Sequence, residues 1–266
     1  MNTLIFNEEV WERGRQLYRD MPWRDNTEPY FVLVSELMLQ QTQVDRVIPK
    51  FELFMKTFPT IVELAAAPLS EVLIVWSGLG YNRRAKFLHE AARKVVAEFG
   101  GKIPDTYEGL VSLPGIGPNT AGAILAYSFN QPVIFIETNV RTVYFHHFFE
   151  DKSLVSDNEL KELAAKTIDT EHPREWYWAL MDYGSFLKKQ GVGRIDKSSH
   201  YKKQGPLKGS LREVRGLILK ALALKECAEG DLRAQLPEDD RFDSALAALQ
   251  NEGLVSQTDG RLHLTR

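Results

Sequence analysis

The chain has 266 residues, 44% of them hydrophobic and 26% charged, enough for a substantial core and two or three domains. Its formal charge of −3 carries no overall basic signature, so any contact with a polyanion has to come from local clusters. One cysteine, Cys227, excludes a disulfide framework and a self-contained iron–sulfur or cysteine-rich zinc site, and no stretch has the length of a membrane span.

Met1–Phe6 has neither a basic start nor a long apolar run, so the sequence predicts no signal peptide and a cytoplasmic protein. Helical spacing dominates the rest of the chain. Residues 8–20 read as an amphipathic helix stopped by Pro22, and 29–49 as a long helix carrying Phe31, Val34, Leu37, Met38, Val44, Val47 and Ile48. Further helices are predicted over 49–57, 60–66, 69–76, 82–98, 106–112, 119–129, 138–149, 157–169 and 174–188, several bounded by Pro or Gly. Val133–Ile136 is β-like in composition but short, and reads as a buried connector; no strand is expected before residue 250. Residues 188–208 form a basic, irregular segment with Lys188, Lys189, Arg194, Lys197, Lys202, Lys203 and Lys208, either a solvated linker or a phosphate contact. Residues 209–266 read as a separate small domain: helices near 210–225, 229–235 and 239–251, then a hairpin turning at Asp259-Gly260, which is a winged-helix pattern. Such a module binds DNA, contacts another protein or packs on its neighbour.

The most informative run is Leu113-Pro114-Gly115-Ile116-Gly117-Pro118-Asn119-Thr120-Ala121-Gly122. Its glycines permit positive-φ geometry and close backbone approach, and Pro118 suits the first position of a helix whose free N–H groups can receive an anion. Glu36 lies inside the apolar run 31–39, where desolvation raises a carboxyl pKa and favours a general acid. Glu137 closes the run 133–136 as a second carboxylate. One acid and one anion are what a glycosidic bond requires to break through an oxocarbenium-like state. Gln40-Gln41-Thr42-Gln43 is a dense amide cluster able to read base edges. Gly78–Arg84 is a second glycine turn, in which Tyr81 is suited to wedge between bases while Arg83 and Arg84 meet phosphate.

Together these residues resemble the helix-hairpin-helix DNA glycosylases, most of all the MutY-type adenine DNA glycosylases. The resemblance rests on Met21–Arg24, Ser35–Val44, Trp76–Tyr81, Leu113–Gly122 and Glu137–Val140, in that family's order and spacing, and covers about residues 8–188. It implies an all-α, two-lobed glycosylase domain over 1–187 with a base flipped into the cleft between its lobes. The basic loop 188–208 and the winged-helix-like α+β domain 209–266 come after it. It also implies Glu36 as the acid that protonates adenine, Glu137 as the carboxylate after the hairpin, and Asn139 as support for the cationic intermediate. Gln41 and Tyr81 match side chains inserted into the duplex, and Arg19, Trp23 and Arg24 match the lining of the base pocket. Thr42, Gly115, Gly117, Thr120, Lys188 and Lys189 complete the expected contacts of a monomer with double-stranded DNA. The hairpin of this family often holds a monovalent cation on backbone carbonyls.

The chain departs from the family's pattern at several points. Asn119 stands where strand-cleaving relatives carry a Schiff-base lysine, which implies base removal without lyase action. Glu137 replaces the usual Asp. The cluster cysteines after Lys188 are absent, as is the usual C-terminal 8-oxoguanine-reading domain. Adenine opposite 8-oxoguanine or guanine is the expected target. A uracil or thymine mismatch glycosylase, or a non-catalytic damaged-DNA-binding protein, are the alternatives.

Overall fold

A computed structural model describes residues 2–152, 154–192 and 205–266. In chain order the helices are α1 (Thr3–Gln16), α2 (Pro22–Asp25), α3 (Pro29–Leu39), α4 (Val44–Thr57), α5 (Ile61–Ala66), α6 (Leu69–Trp76), α7 (Arg83–Phe99) and α8 (Tyr107–Val111). They continue as α9 (Pro118–Phe129), α10 (Thr138–Phe148), α11 (Asp157–Thr167), α12 (Pro173–Lys189) and α13 (Leu211–Leu224). The strand β1 (Cys227–Ala228) is followed by α14 (Glu229–Gln235), α15 (Phe242–Asn251), β2 (Val255–Thr258) and β3 (Arg261–Leu264). The chain packs as two compact units, one of Met1–Val32, Asp105–Ser112 and Ile116–Lys203, the other of Leu33–Pro104, Leu113–Gly115 and Gln204–Arg266.

In the first unit α12 is the central helix, packed against α10, α1 and α9. Phe6 on α1 sits in an aromatic cluster with Tyr144, Phe148 and Trp176, edge-on or tilted at centroid distances of 4.9–6.2 Å. Two glycine-dependent close approaches fix this packing. A Cβ at Gly14 would run into Ala179, and one at Gly184 into the Asn139 carbonyl, so α12 lies almost backbone to backbone with α1 and with the first turn of α10. α11 starts where the sequence dictates: Ser156 accepts from the Glu159 N–H while Glu159 reaches back to Ser156, a reciprocal cap.

In the second unit α5 and α6 pack on α7 around Phe54, Leu64, Val72, Trp76 and Leu88, all fully buried. α13 lies on α6, on α15 and on β3. The residues read as a C-terminal module thus share a core with 33–104, tied further by Lys86 donating to the Glu252 carbonyl at 2.6 Å. The three helices and hairpin of that module are present. The turn takes positive φ at both Asp259 (50°) and Gly260 (74°), the conformation that matches strand twist. The expectation of no strand before residue 250 fails: β1 pairs antiparallel with β3, Cys227 opposite Leu262, giving the sheet order β1-β3-β2. The outer edge of a hairpin is a ready template, and a two-residue strand carries too little pattern to be read in advance.

The predicted helix over 29–49 is also wrong in one respect. It is two helices, α3 and α4, separated at residues 40–43 with Gln41 at φ 56°. Arg84, on α7, causes the break. Its Nη1 donates to the carbonyls of Leu37 (2.9 Å) and Met38 (2.8 Å) and to that of Gln40, so the last carbonyls of α3 find a guanidinium instead of a further helical turn.

Candidate active site and nucleic-acid interface

Glu137 belongs to the first unit and is the N-cap of α10, with φ −92° and ψ 170°. Its carboxylate makes no cap bond to the helix. Burial pushes its carboxyl up to about 7, the reverse of what an ordinary N-cap acid experiences. The connector leading to it pairs with no strand among the described residues, so side chains satisfy its backbone. Tyr177 donates to the Val133 carbonyl (2.9 Å) and accepts from the Phe135 N–H (3.3 Å), while its ring stacks on Phe135 at 4.0 Å. Asn119, at the second position of α9, donates Nδ2 to the Ile136 carbonyl at 3.0 Å. Asn119 therefore tethers the residue just before Glu137. Sequence reading assigned it only by what it is not, and had no signal for Tyr177.

Asn139 lies in the first turn of α10. Gly184 lets α12 touch its backbone, and Lys188 Nζ sits 3.4 Å from its Oδ1. Partial desolvation, then the nearby charge of Arg19, lowers the Lys188 ammonium pKa. Arg19 and Arg24, expected as pocket lining, are both committed to Asp182. Arg24 makes a two-pronged pair with it at 2.7 and 3.0 Å, and Arg19 Nε donates to it at 2.6 Å. The Arg24 guanidinium is also stacked near Tyr18 and Trp178, at 5.1 and 5.3 Å from the ring centroids. Arg24 and Asp182 are buried, so this pair is a structural clamp between the start of the chain and α12. Asp182 carries no motif and was not legible. Trp23 is buried at 6% exposure, and Lys189 is exposed at the end of α12. Of the basic segment, residues 193–204, including Arg194, Lys197, Lys202 and Lys203, lie outside the described residues.

In the second unit Glu36 is half-buried on α3, flanked by the fully buried Val34, Ser35, Leu37 and Met38. Gln41 is exposed and Thr42 half-buried in the turn after α3. Tyr81 follows Gly78 and Gly80, and like Gln41 it has positive φ (48°), a conformation that costs a non-glycine residue about 1 kcal/mol. Arg84 joins the two turns. Besides the α3 carbonyls it donates to Thr42 Oγ1 (3.1 Å) and the Gly80 carbonyl (3.0 Å), and it lies 5.3 and 5.4 Å from the Trp76 and Tyr81 ring centroids. The expected phosphate contact by Arg84 is thereby corrected: it is 6% exposed, its pKa pushed down to about 10 by desolvation, and it holds loops instead of DNA. Arg84→Ala leaves buried carbonyls without a donor and is expected to lower unfolding free energy by about 2–4 kcal/mol, measurable by urea denaturation.

The glycine turn divides its labour. Gly115 has φ 78°, and a Cβ there would meet Phe87 at 2.7 Å and Leu37 at 3.3 Å. Gly117, expected to share that geometry, is extended (φ −90°, ψ 176°) with open space around it, so its value is exposure of the α9 start. Pro118 occupies the first position of α9, and Thr120 is half-buried in its first turn. No cluster of three or more His, Cys, Asp or Glu able to hold a metal exists among the described residues. A four-thiolate iron–sulfur cluster does not fit a chain with one cysteine, and that one is buried in β1.

Residues 34–169 match the HhH-GPD superfamily of base excision DNA repair proteins. The chain belongs to this superfamily, and its mostly helical fold is that of the family's glycosylases. It is 34% identical to an adenine DNA glycosylase of Mycobacterium tuberculosis, covering 93% of this chain and 89% of that one. Residues 1–208 alone cannot supply that share, so the similarity runs into the C-terminal helices. It is 35% identical over 192 residues to an adenine DNA glycosylase of Buchnera aphidicola, covering 70% of this chain. This chain spans only 54% and 61% of the length of two such Buchnera relatives. Among solved structures, a thermostable thymine-DNA glycosylase superposes with a TM-score of 0.64 at 26% identity, over 69% of this chain and 86% of that one.

Proposed function

We propose that this chain is a monofunctional DNA glycosylase that removes a mispaired adenine, opposite 8-oxoguanine or guanine, and leaves an abasic site. The observation that carries this reading is the similarity to an adenine DNA glycosylase across 93% of the chain. Glu36 donates its proton to the flipped adenine, the N-glycosidic bond breaks with its electron pair leaving on the base, and Glu36 then accepts a proton from the water that adds to C1′. Glu137, as an anion, stabilises the oxocarbenium-like state, with Asn139 beside it on α10. Gln41 and Tyr81 enter the duplex, and Thr42 contacts the DNA beside them. The exposed start of α9 at Gly117–Thr120, the Gly115 turn, Lys188 and Lys189 meet phosphate, and the hairpin carbonyls hold a monovalent cation. Trp23 lines the base pocket, which Arg19 and Arg24 support through Asp182. Asn119 has no amine with which to form a Schiff base, so the sugar–phosphate chain stays intact. The enzyme works as a cytoplasmic monomer on double-stranded DNA that contains a mispaired or damaged base, with 1–187 as the glycosylase domain, 188–208 as a basic linker and 209–266 as its C-terminal module. No described helix is long and apolar enough to cross a membrane.

A second reading, excision of thymine or uracil opposite guanine, is favoured by the thymine-DNA glycosylase neighbour. Single-turnover base release on one duplex panel separates the two. Adenine opposite 8-oxoguanine, guanine or cytosine, and uracil or thymine opposite guanine, are assayed with and without alkali. Adenine release visible only after alkali is the expected result. Release of uracil or thymine alone gives the second reading, strand breaks without alkali overturn the monofunctional assignment, and binding without any release leaves a damage-binding protein.

A further inference from the structure

A groove of about 1000 Å³ runs through the second unit, lined on one side by Gln40, Gln41 and the 77–84 turn and on the other by α13. Among its lining residues, one from α13 holds the candidate wedge. Arg212 Nη1 donates to the Tyr81 hydroxyl at 2.7 Å, and its guanidinium carbon lies 5.6 Å from the Tyr81 ring centroid. Arg212 is itself oriented by the carbonyls of Gly205 (2.8 Å) and Pro206 (3.3 Å). Tyr81 is thus gripped by two arginines, Arg84 from α7 and Arg212 from the C-terminal module, while its own backbone sits in a strained positive-φ conformation.

We propose that Arg212 is a positioning residue that presets Tyr81 for insertion into DNA, making the C-terminal module a working part of the DNA-reading surface. Three features favour this over simple packing. The bond is charge-assisted and ends on the one polar atom of the Tyr81 side chain, so it fixes the ring's direction as well as its location. The contact spans 131 positions of sequence, and the module is held to its unit by other contacts as well, α13 and β3 lying on α6 and Lys86 donating to the Glu252 carbonyl. The wall beside it carries a further cation, Arg46, which donates to the Gly78 carbonyl at 2.6 Å and suits an incoming polyanion. Presetting removes ordering cost at the moment of binding, so its loss weakens engagement of DNA while the chemistry on an engaged base proceeds.

This inference rests on the glycosylase reading, and the test separates the two. 2-Aminopurine is placed next to the target base in a mispaired duplex, where unstacking by the wedge raises its fluorescence. The wild-type protein, Arg212→Ala, Arg212→Lys, Tyr81→Phe, the Arg212→Ala/Tyr81→Phe double variant and Lys220→Ala are titrated, with thermal melts alongside. Arg212→Ala is expected to raise the half-saturating protein concentration about tenfold, leave the single-turnover plateau rate within about twofold, and be partly rescued by lysine. The double variant is expected to be no worse than Tyr81→Phe, because the bond to the hydroxyl is already gone. Additive losses, or an equal loss in Lys220→Ala, overturn the proposal by reducing Arg212 to a general charge. So does an Arg212→Ala titration like wild type. Wild-type brightening without base release on any duplex overturns the glycosylase reading and leaves this one standing; no brightening by the wild type overturns both.

Discussion

Glu36→Gln is expected to lower single-turnover base release on the preferred duplex by at least about 10²–10⁴-fold, while the affinity for that duplex changes less than about threefold. Glu36 is half-buried on α3 between fully buried neighbours, in a helix whose far end is clamped by Arg84. Gln has nearly the same size and keeps a hydrogen-bond donor, so packing of α3 survives, but it has no proton of useful acidity to hand to a leaving base. Proton donation to the base is confined to the transition state. Losing it therefore acts on the plateau rate and not on the half-saturating concentration. Single-turnover kinetics and anisotropy on the same duplex check both halves. Retained activity sinks the assignment of Glu36, and lost binding would mean that its role is structural.

Much of the architecture was legible because apolar spacing and helix punctuation agree locally. Leu69–Trp76 is read from the sequence residue for residue, and the hairpin follows from Asp259-Gly260, where the turn needs positive φ twice. The failures share one cause, a partner distant in sequence. The break after α3 is made by a guanidinium more than forty residues away, and no helical pattern over 29–49 can announce it. Arg84 and Arg24 sit in motifs that suggest nucleic acid, yet both are buried, one against carbonyls and the other against Asp182. An arginine beside glycines looks the same in a sequence whether its fork faces phosphate or the protein's own backbone. The candidate carboxylates were legible only in part: desolvation inside an apolar run was the argument for Glu36, while Glu137 was read as the carboxylate that stays ionised, and it is Glu137 whose carboxyl burial pushes up to about 7. What the sequence did not carry was how that residue is held, by Tyr177 and Asn119 on a connector that pairs with no described strand.

Glu137→Gln is expected to separate function from stability, with opposite signs above neutral pH. Burial lifts the Glu137 carboxyl from an ordinary 4.5 to about 7. Below the unfolded value the group is neutral in both states and burial carries no ionic penalty. Between 4.5 and about 7 the folded protein holds the proton that the unfolded chain releases, so stability falls as pH rises through that window. Above it the group is ionised in both states and the folded protein carries the whole desolvation cost. A neutral amide at this position carries no such cost. The variant is therefore expected to exceed wild type in urea-unfolding free energy by on the order of 1–3 kcal/mol near pH 8, and to lose that advantage near pH 4.5. Activity moves the other way. If the anion is what steadies the oxocarbenium-like state, wild-type base release climbs as pH rises through about 7, and the variant loses on the order of 10²–10³-fold together with that limb of the profile. A wild-type rate that is flat across the same window would mean that Glu137 acts protonated, or not at all. A variant no more stable than wild type at high pH would mean that its surroundings solvate the charge. If both results hold, the carboxylate lowers stability in the form that the proposed chemistry uses, and its retention follows from function, because packing alone would favour the amide.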